Sequence, residues 1–203
     1  SGYVQHRFVM RDLAITPGIR FERIETERRN LLASPTAIGG TVITAVIPGI
    51  GVAYSGLPRT TVFAGVHRGF SPPRAEDIVG NNGGVIDLEP EQSWNYEAGV
   101  RSRPIRGVQV EATVFRLDYA NQIVAASLSG GVVALWTNGG KPLQQGAEVS
   151  VAAESAPILS SRHNFYFRAA FTFLPVAEFR GVRFSSVTPA VSITGNRLPY
   201  TPE

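Results

Sequence analysis

Residues 88–124, LEPEQSWNYEAGVRSRPIRGVQVEATVFRLDYANQIV, constrain the fold more than any other stretch. On the first arm Trp94, Tyr96, Ala98 and Val100 alternate with Ser93, Asn95, Glu97, Gly99 and Arg101. On the second, Val108, Val110, Ala112 and Val114 alternate with Gln109, Glu111 and Thr113. Successive strand side chains point to opposite faces, so each arm carries one apolar and one polar face. Between the arms, Arg103-Pro104-Ile105-Arg106-Gly107 supplies a fixed φ and a glycine for the reversal. The stretch is expected to be a long β-hairpin.

The rest of the chain repeats this theme. Strands are expected over Tyr3–Met10, Leu13–Glu25, Val42–Tyr54, Thr60–Phe70, Val132–Thr137, Gln144–Glu154 and Asn164–Val176, with Ala120–Ser127 extending the second hairpin arm. Pro17 removes a ladder donor and suits an edge or a bulge. Pro48, Gly49 and Gly51 imply a bulge or kink in their strand. Arg28–Gly40, Ser71–Glu89 and Leu128–Gly131 are expected to be loops, Ser55–Arg59 and Ser155–Arg162 turns, and Asn138–Pro142 a break between two strand segments. Phe165, Phe167, Ala169, Phe171 and Phe173 share one face, and Asn196–Tyr200 reads as the start of a further strand.

Composition narrows the function classes. With no cysteine there is no disulfide framework, thiol nucleophile or thiolate-bound metal. His6, His67 and His163 lie on different segments without metal-ligand spacing, and Asp118, Glu76 and Asp77 are lone carboxylates. A net charge of +3 carried by scattered basic residues argues against a nucleic-acid face. Gly49-Ile50-Gly51 lacks the third glycine and following helix of a dinucleotide fingerprint, and no Gly-x-Ser-x-Gly elbow or phosphate loop is present. No enzyme is expected. No apolar run approaches the length of a membrane-spanning helix, and Ser1-Gly2 reads as an opening in mid-pattern, so no secretory leader is expected within this stretch.

Connections alternate between short and long, and several strands outrun the five or six residues usual in soluble sheets. Short turns at one end, long loops at the other and aromatics near strand ends are the pattern of an outer-membrane β-barrel. The expected fold is all-β, with antiparallel up-and-down strands.

Seven phrases in order carry a resemblance to the barrel of TonB-dependent outer-membrane receptors. They are ITPGIRFE (15–22), VIPGIGVAY (46–54), VFAGVHRGFSPP (62–73), LEPEQSWNYEAGVR (88–101), VEATVFRLDYANQIV (110–124), TNGGKPLQQGAEV (137–149) and GNRLPYTPE (195–203). The HRGFSPP phrase is similar to the ferric dicitrate receptor branch. The resemblance implies a 22-stranded transmembrane barrel in the bacterial outer membrane, surrounded by lipid, with an N-terminal plug in its lumen. It also implies TonB-energised uptake of an Fe(III) chelate, carried as cargo and not as a cofactor of this chain. Residues 1–203 resemble about eight or nine strands of that barrel as one partial barrel domain. The plug, a TonB-contacting box and a terminal strand ending in an aromatic are expected to be absent.

Candidate residues follow from this placement. Arg68, Arg74, Gln122 and Asn138 lie at or beyond the long-loop ends of their strands, where cationic and hydrogen-bonding groups could meet an anionic chelate. Glu97 with Arg101, and Glu111 with Arg101, are expected to line the lumen, as plug-docking groups or as ordinary polar lining. Trp94, Tyr96 and Trp136 are expected in the upper aromatic girdle. No metal site is expected. Two other readings of the same pattern are a soluble all-β sandwich serving as a binding module and a plugless diffusion porin. The first requires the apolar stripes to be covered by a second protein layer.

Overall fold

The computed structural model describes residues 1–32, 35–78, 84–86, 88–125, 136–159, 162–181, 184, 191–198 and 201. Its strands are β1 (Gly2–Gln5), β2 (Phe8–Met10), β3 (Leu13–Asn30), β4 (Ala37–Leu57), β5 (Thr60–Ser71), β6 (Glu91–Ser102), β7 (Val108–Ala120), β8 (Gln122–Ala125), β9 (Trp136–Glu154) and β10 (Tyr166–Arg180). Two one-turn helices, α1 (Ala75–Ile78) and α2 (Ser155–Leu159), sit in connections. Every described strand belongs to one antiparallel sheet in the order β1-β3-β4-β5-β6-β7-β9-β10, with β2 beside β3 and β8 beside β9. The expected eight or nine up-and-down arms are present, because β1 with β2 and β7 with β8 are each one arm interrupted once.

Proline chemistry explains one interruption. In an antiparallel ladder both backbone polar groups of a residue face the same neighbour, alternating side by side along the strand. His6 N donates to Pro17 O at 3.1 Å, but Pro17 has no N–H to return the bond. Pairing on either side, Gln5↔Gly18 and Phe8↔Ile15, keeps one register across the gap. The same alternation turns even positions of β4 towards β5, so the donor missing at Pro48 faces β5. The β4–β5 ladder ends at the next residue, Gly49↔His67. The expected bulge at Pro48, Gly49 and Gly51 does not form: β3 and β4 pair without a register shift from Leu13↔Tyr54 to Asn30↔Ala37.

Two further expectations change. Most of the Arg28–Gly40 loop is strand, since β3 runs to Asn30 and β4 starts at Ala37. Asn138–Pro142 does not break the chain; β9 passes through it, with Gly140 paired to Gln122 and Pro142 to Phe179. Leu128–Gly131 and the start of Val132–Thr137 lie outside the described residues. The 155–162 turn contains α2. Asn196 and Leu198 do pair with β10, through Phe179 N to Asn196 O at 2.9 Å and Leu198 N to Ala177 O at 2.7 Å.

The two faces of the sheet differ in chemistry. One carries Tyr54, Val52 and Ile50 on β4; Val62, Ala64 and Val66 on β5; Val100, Ala98, Tyr96 and Trp94 on β6. It continues through Val110, Ala112 and Val114 on β7 to Val149, Phe171 and Phe173 on β9 and β10, all in register. No second layer covers it among the described residues: Val114 is 58% exposed, Phe167 60% and Phe171 65%. A sandwich would bury these side chains, so that reading fails.

The border of the apolar stripe also gives a tilt. On β7 the first charged outward residue is Arg116, which is in register with Tyr96, Val66, Ile50 and Pro17 on the next four strands. On β3 the stripe instead runs on through Ile19 and Phe21 to Arg23, six positions past Pro17. Six residues at ~3.3 Å over four strand spacings of ~4.8 Å correspond to a tilt of about 45°. That is the inclination at which about ten residues cross an apolar layer, and β5, β6 and β7 have 12, 12 and 13. Among the described residues no helix is long and apolar enough to cross a membrane.

Candidate functional site: the barrel wall and its long-loop mouth

The opposite face combines polar side chains with glycines. Five glycines there stand directly across from a much larger residue: Gly18 from Gln5, Gly49 from His67, Gly65 from Glu97, Gly99 from Phe63 and Gly146 from Phe115. A Cβ on Gly99 would lie 2.6 Å from both Ala112 O and the Phe63 ring tip, and one on Gly146 would lie 2.8 Å from the Phe115 ring tip. The two rings thus lie flat across the neighbouring strands, which shields glycine backbone and removes bulk from the lumen. Sequence reasoning missed this pairing, because it exists only once the register is known.

Arg101 and Glu111 face each other on this side. Arg101 Nε and Nη2 donate to Glu111 Oε2 and Oε1 at 2.7 and 2.9 Å, and the guanidinium carbon lies 5.9 Å from the Phe63 ring centroid. The Arg101 partner is therefore Glu111 and not Glu97. Glu97 lies over Gly65 and makes no ion pair among the described residues. A concave pocket of about 690 Å³ runs past Gly18, Gly49, Gly51, Gly65, His67 and Glu97. Asn95 Nδ2 and His67 Nε2 are 3.0 Å apart at its margin.

Trp94 and Tyr96 project from the apolar face, 40% and 44% exposed, at its long-loop border. Arg116 and Asp118 follow directly on β7, with Arg116 Nε to Asp118 Oδ2 at 2.7 Å. Aromatics bordered by charge are what a bilayer interface selects. The backbone of Trp136 pairs with Ala125 in β9, and its side chain lies outside the described residues.

The four residues expected around an anionic ligand do not converge. Arg68 is in register with Trp94 on the apolar side, its guanidinium 5.9 Å from that ring and bonded to Gln92. It lies in a cleft with Arg20, Glu22, Ile47 and Phe70, where the β3–β4 hairpin parts from β5. Gln122 lies over Gly140, on the parity of lumen-facing Gln144 and Gly146. Arg74 Nε donates to Asp77 Oδ2 at 3.1 Å beside α1.

Asn138 acts as a staple. Its Oδ1 accepts from Glu89 N, and its Nδ2 donates to Glu89 O and Asn121 O, each at 2.8 Å. Asn121, at φ 57°, donates from Nδ2 to the Glu89 carboxylate, while Glu91 Oε1 accepts from Ile123 N at 2.8 Å. Ile78, Leu88, Ile86 and Ile123 form a small apolar cluster beneath these bonds. Glu89, Glu91 and Asn121 were not singled out in sequence. The one cue was an asparagine interrupting an alternating run, since asparagine tolerates the left-handed conformation.

One uncovered apolar face, a polar and glycine-rich concave face, tilted strands and an aromatic border define the wall of an outer-membrane β-barrel. The family description "TonB dependent receptor-like, beta-barrel" matches residues 1–203, and the chain belongs to this family of receptors, which are not enzymes. Its members are outer-membrane proteins of Gram-negative bacteria. Among solved structures, the siderophore receptor PiuA from Acinetobacter baumannii is similar at 18% identity and a TM-score of 0.73, over 98% of this chain and 29% of that one. The ferric citrate transporter FecA in its unliganded form is similar at 21% identity and a TM-score of 0.69, over 98% and 28% respectively. The siderophore receptor PirA from Acinetobacter baumannii follows at 18% identity and 0.64, over 94% and 28%. The chain thus spans under a third of the length of these receptors. A search of curated proteins returned no significant match.

Proposed function

We propose that this chain is a section of barrel wall, with part of the ligand entrance, in a receptor that takes up a ferric chelate with energy delivered through TonB. In this reading residues 1–203 are one partial barrel domain, and the plug and remaining strands belong to the rest of the receptor. The observation that supports it is the division of the sheet into a lipid-type face and a polar lumen face, within a fold shared with ferric citrate and siderophore receptors. Gln122, on the lumen side, is the proposed wall contact for the chelate, and Arg74, beside α1 in the connection from β5 to β6, is a separate proposed cationic contact. Asn138 holds the entrance in shape, and Arg68 supports it from the outer side of β5.

The test is chelate binding by the full-length receptor, with ferric citrate and ferric siderophores as probes. Saturable binding of a ferric chelate, and uptake that stops when TonB is deleted, are expected. Uptake that persists without TonB and does not saturate would replace the receptor reading with a diffusion pore. Gln122→Ala with Arg74→Ala is expected to weaken binding about tenfold while the barrel still folds. An unchanged isotherm would retire both residues as contacts.

A further inference from the structure

At the end of the sheet opposite α1, three short connections meet: Pro58–Arg59 between β4 and β5, 103–107 between β6 and β7, and the α2 turn between β9 and β10. They enclose a recess of about 680 Å³, a size suited to a small ligand. Arg59, Arg103, Arg106 and Arg168 line it, and Glu154 is the one acidic residue in its lining among the described residues. Arg168 is paired with Ala152, and Ala152 with Gln109, so all three lie on the lumen side with Glu111 and Ser150.

What marks this recess is four guanidiniums gathered around a single carboxylate. Elsewhere Arg20, Arg74, Arg101, Arg116 and Arg180 each hold a carboxylate of their own. Here the Arg103, Arg106 and Arg168 guanidiniums make no ion pair or hydrogen bond among the described residues, and Arg59 Nη1 reaches only Pro104 O at 3.5 Å. Guanidiniums offer planar pairs of donors that match carboxylate and phosphate oxygens, and a second and third arginine favour an anion with more than one charge.

We infer that this recess binds a compact multivalent oxyanion, a polycarboxylate or a phosphate, at the short-turn mouth of the lumen. The lumen-side position of Arg168 and Gln109, with the apolar stripe on the opposite face, favours a soluble anion over a lipid headgroup. The inference holds whichever chelate the receptor carries, because it concerns iron-free anions at the end of the barrel away from the proposed chelate entrance.

The test uses the full-length receptor in detergent, with equilibrium dialysis against labelled iron-free citrate and, separately, inorganic pyrophosphate. Saturable binding that weakens as salt is raised is expected. In Arg103→Ala/Arg106→Ala/Arg168→Ala it should be at least about tenfold weaker, with the matching lysine set in between. Heat-modifiable gel migration reports that each variant is folded, and the single Arg168→Gln variant, expected to weaken binding severalfold, serves if the triple variant does not fold. Absence of saturable binding by the wild-type receptor overturns the site, as does equal binding by the folded variants. Retention of phosphatidylglycerol by the wild type but not the triple variant, without citrate binding, assigns the arginines to lipid and overturns it too.

Discussion

Asn138 spends both amide protons and one oxygen lone pair on backbone, so it has no donor left for a ligand: one oxygen and one nitrogen join Glu89 to the start of β8 through three bonds. Asn138→Ala is expected to cost about 0.5–1.5 kcal/mol locally, because water can take over the exposed backbone groups at Glu89. Hydrogen exchange at the Glu89 amide should speed up by up to about tenfold, with exchange in β6 and β7 unchanged. The Arg101–Glu111 pair has good geometry but sits in an open lumen, with side chains 54% and 28% exposed. A double-mutant cycle on Arg101→Ala and Glu111→Ala is expected to give a coupling of at most about 1 kcal/mol. A larger value would mean that the lumen is drier here than this exposure implies.

Elements of this sheet are set by what each residue does to its neighbours. Pro17 was legible as a ladder breaker and Pro48 as part of a bulge or kink, but which ladder each would interrupt was not, since that depends on the direction of a backbone N–H within the paired sheet. Gly49 and Gly51 were read as a bulge or kink, whereas Gly18, Gly49, Gly65, Gly99 and Gly146 act as partners of larger side chains. Their sensitivity to substitution should differ accordingly. A Cβ at Gly65 would meet the flexible Glu97 carboxylate at 3.1 Å, whereas at Gly99 and Gly146 it meets backbone oxygens at 2.6 and 2.5 Å. Gly65→Ala is expected to change stability by less than about 0.5 kcal/mol and Gly99→Ala or Gly146→Ala to cost about 1–3 kcal/mol. Denaturant unfolding of the full-length barrel in detergent measures the difference. Phe115→Ala should not rescue Gly146→Ala fully, because the Phe173 carbonyl remains in the way.

For the whole molecule, the decisive property is that the two faces of a single sheet meet different surroundings. Val114, in the middle of the outward stripe, and Ser150, on the lumen side, lie on neighbouring strands. Val114→Arg is expected to cost about 2–4 kcal/mol in refolding into lipid vesicles, and Ser150→Arg almost nothing. Equal penalties would show that the stripe does not face hydrocarbon. The hairpin of β3 and β4, whose residues 22–30 and 37–45 pair only with each other among the described residues, carries the wall beyond its neighbours on the long-loop side.

By itself the sequence determined the alternation, and with it the strands, the apolar and polar faces, the short-turn end and the family. A period of two and the positions of proline and glycine are local properties that need no partner to be read. Only the tertiary structure decided the partners: that Arg101 holds Glu111 and not Glu97, that Arg68 and Gln122 leave opposite sides of the sheet, and that Asn138 staples a loop. Register and parity link residues far apart in the chain, and a one-residue change in either would send each of these side chains to the other face.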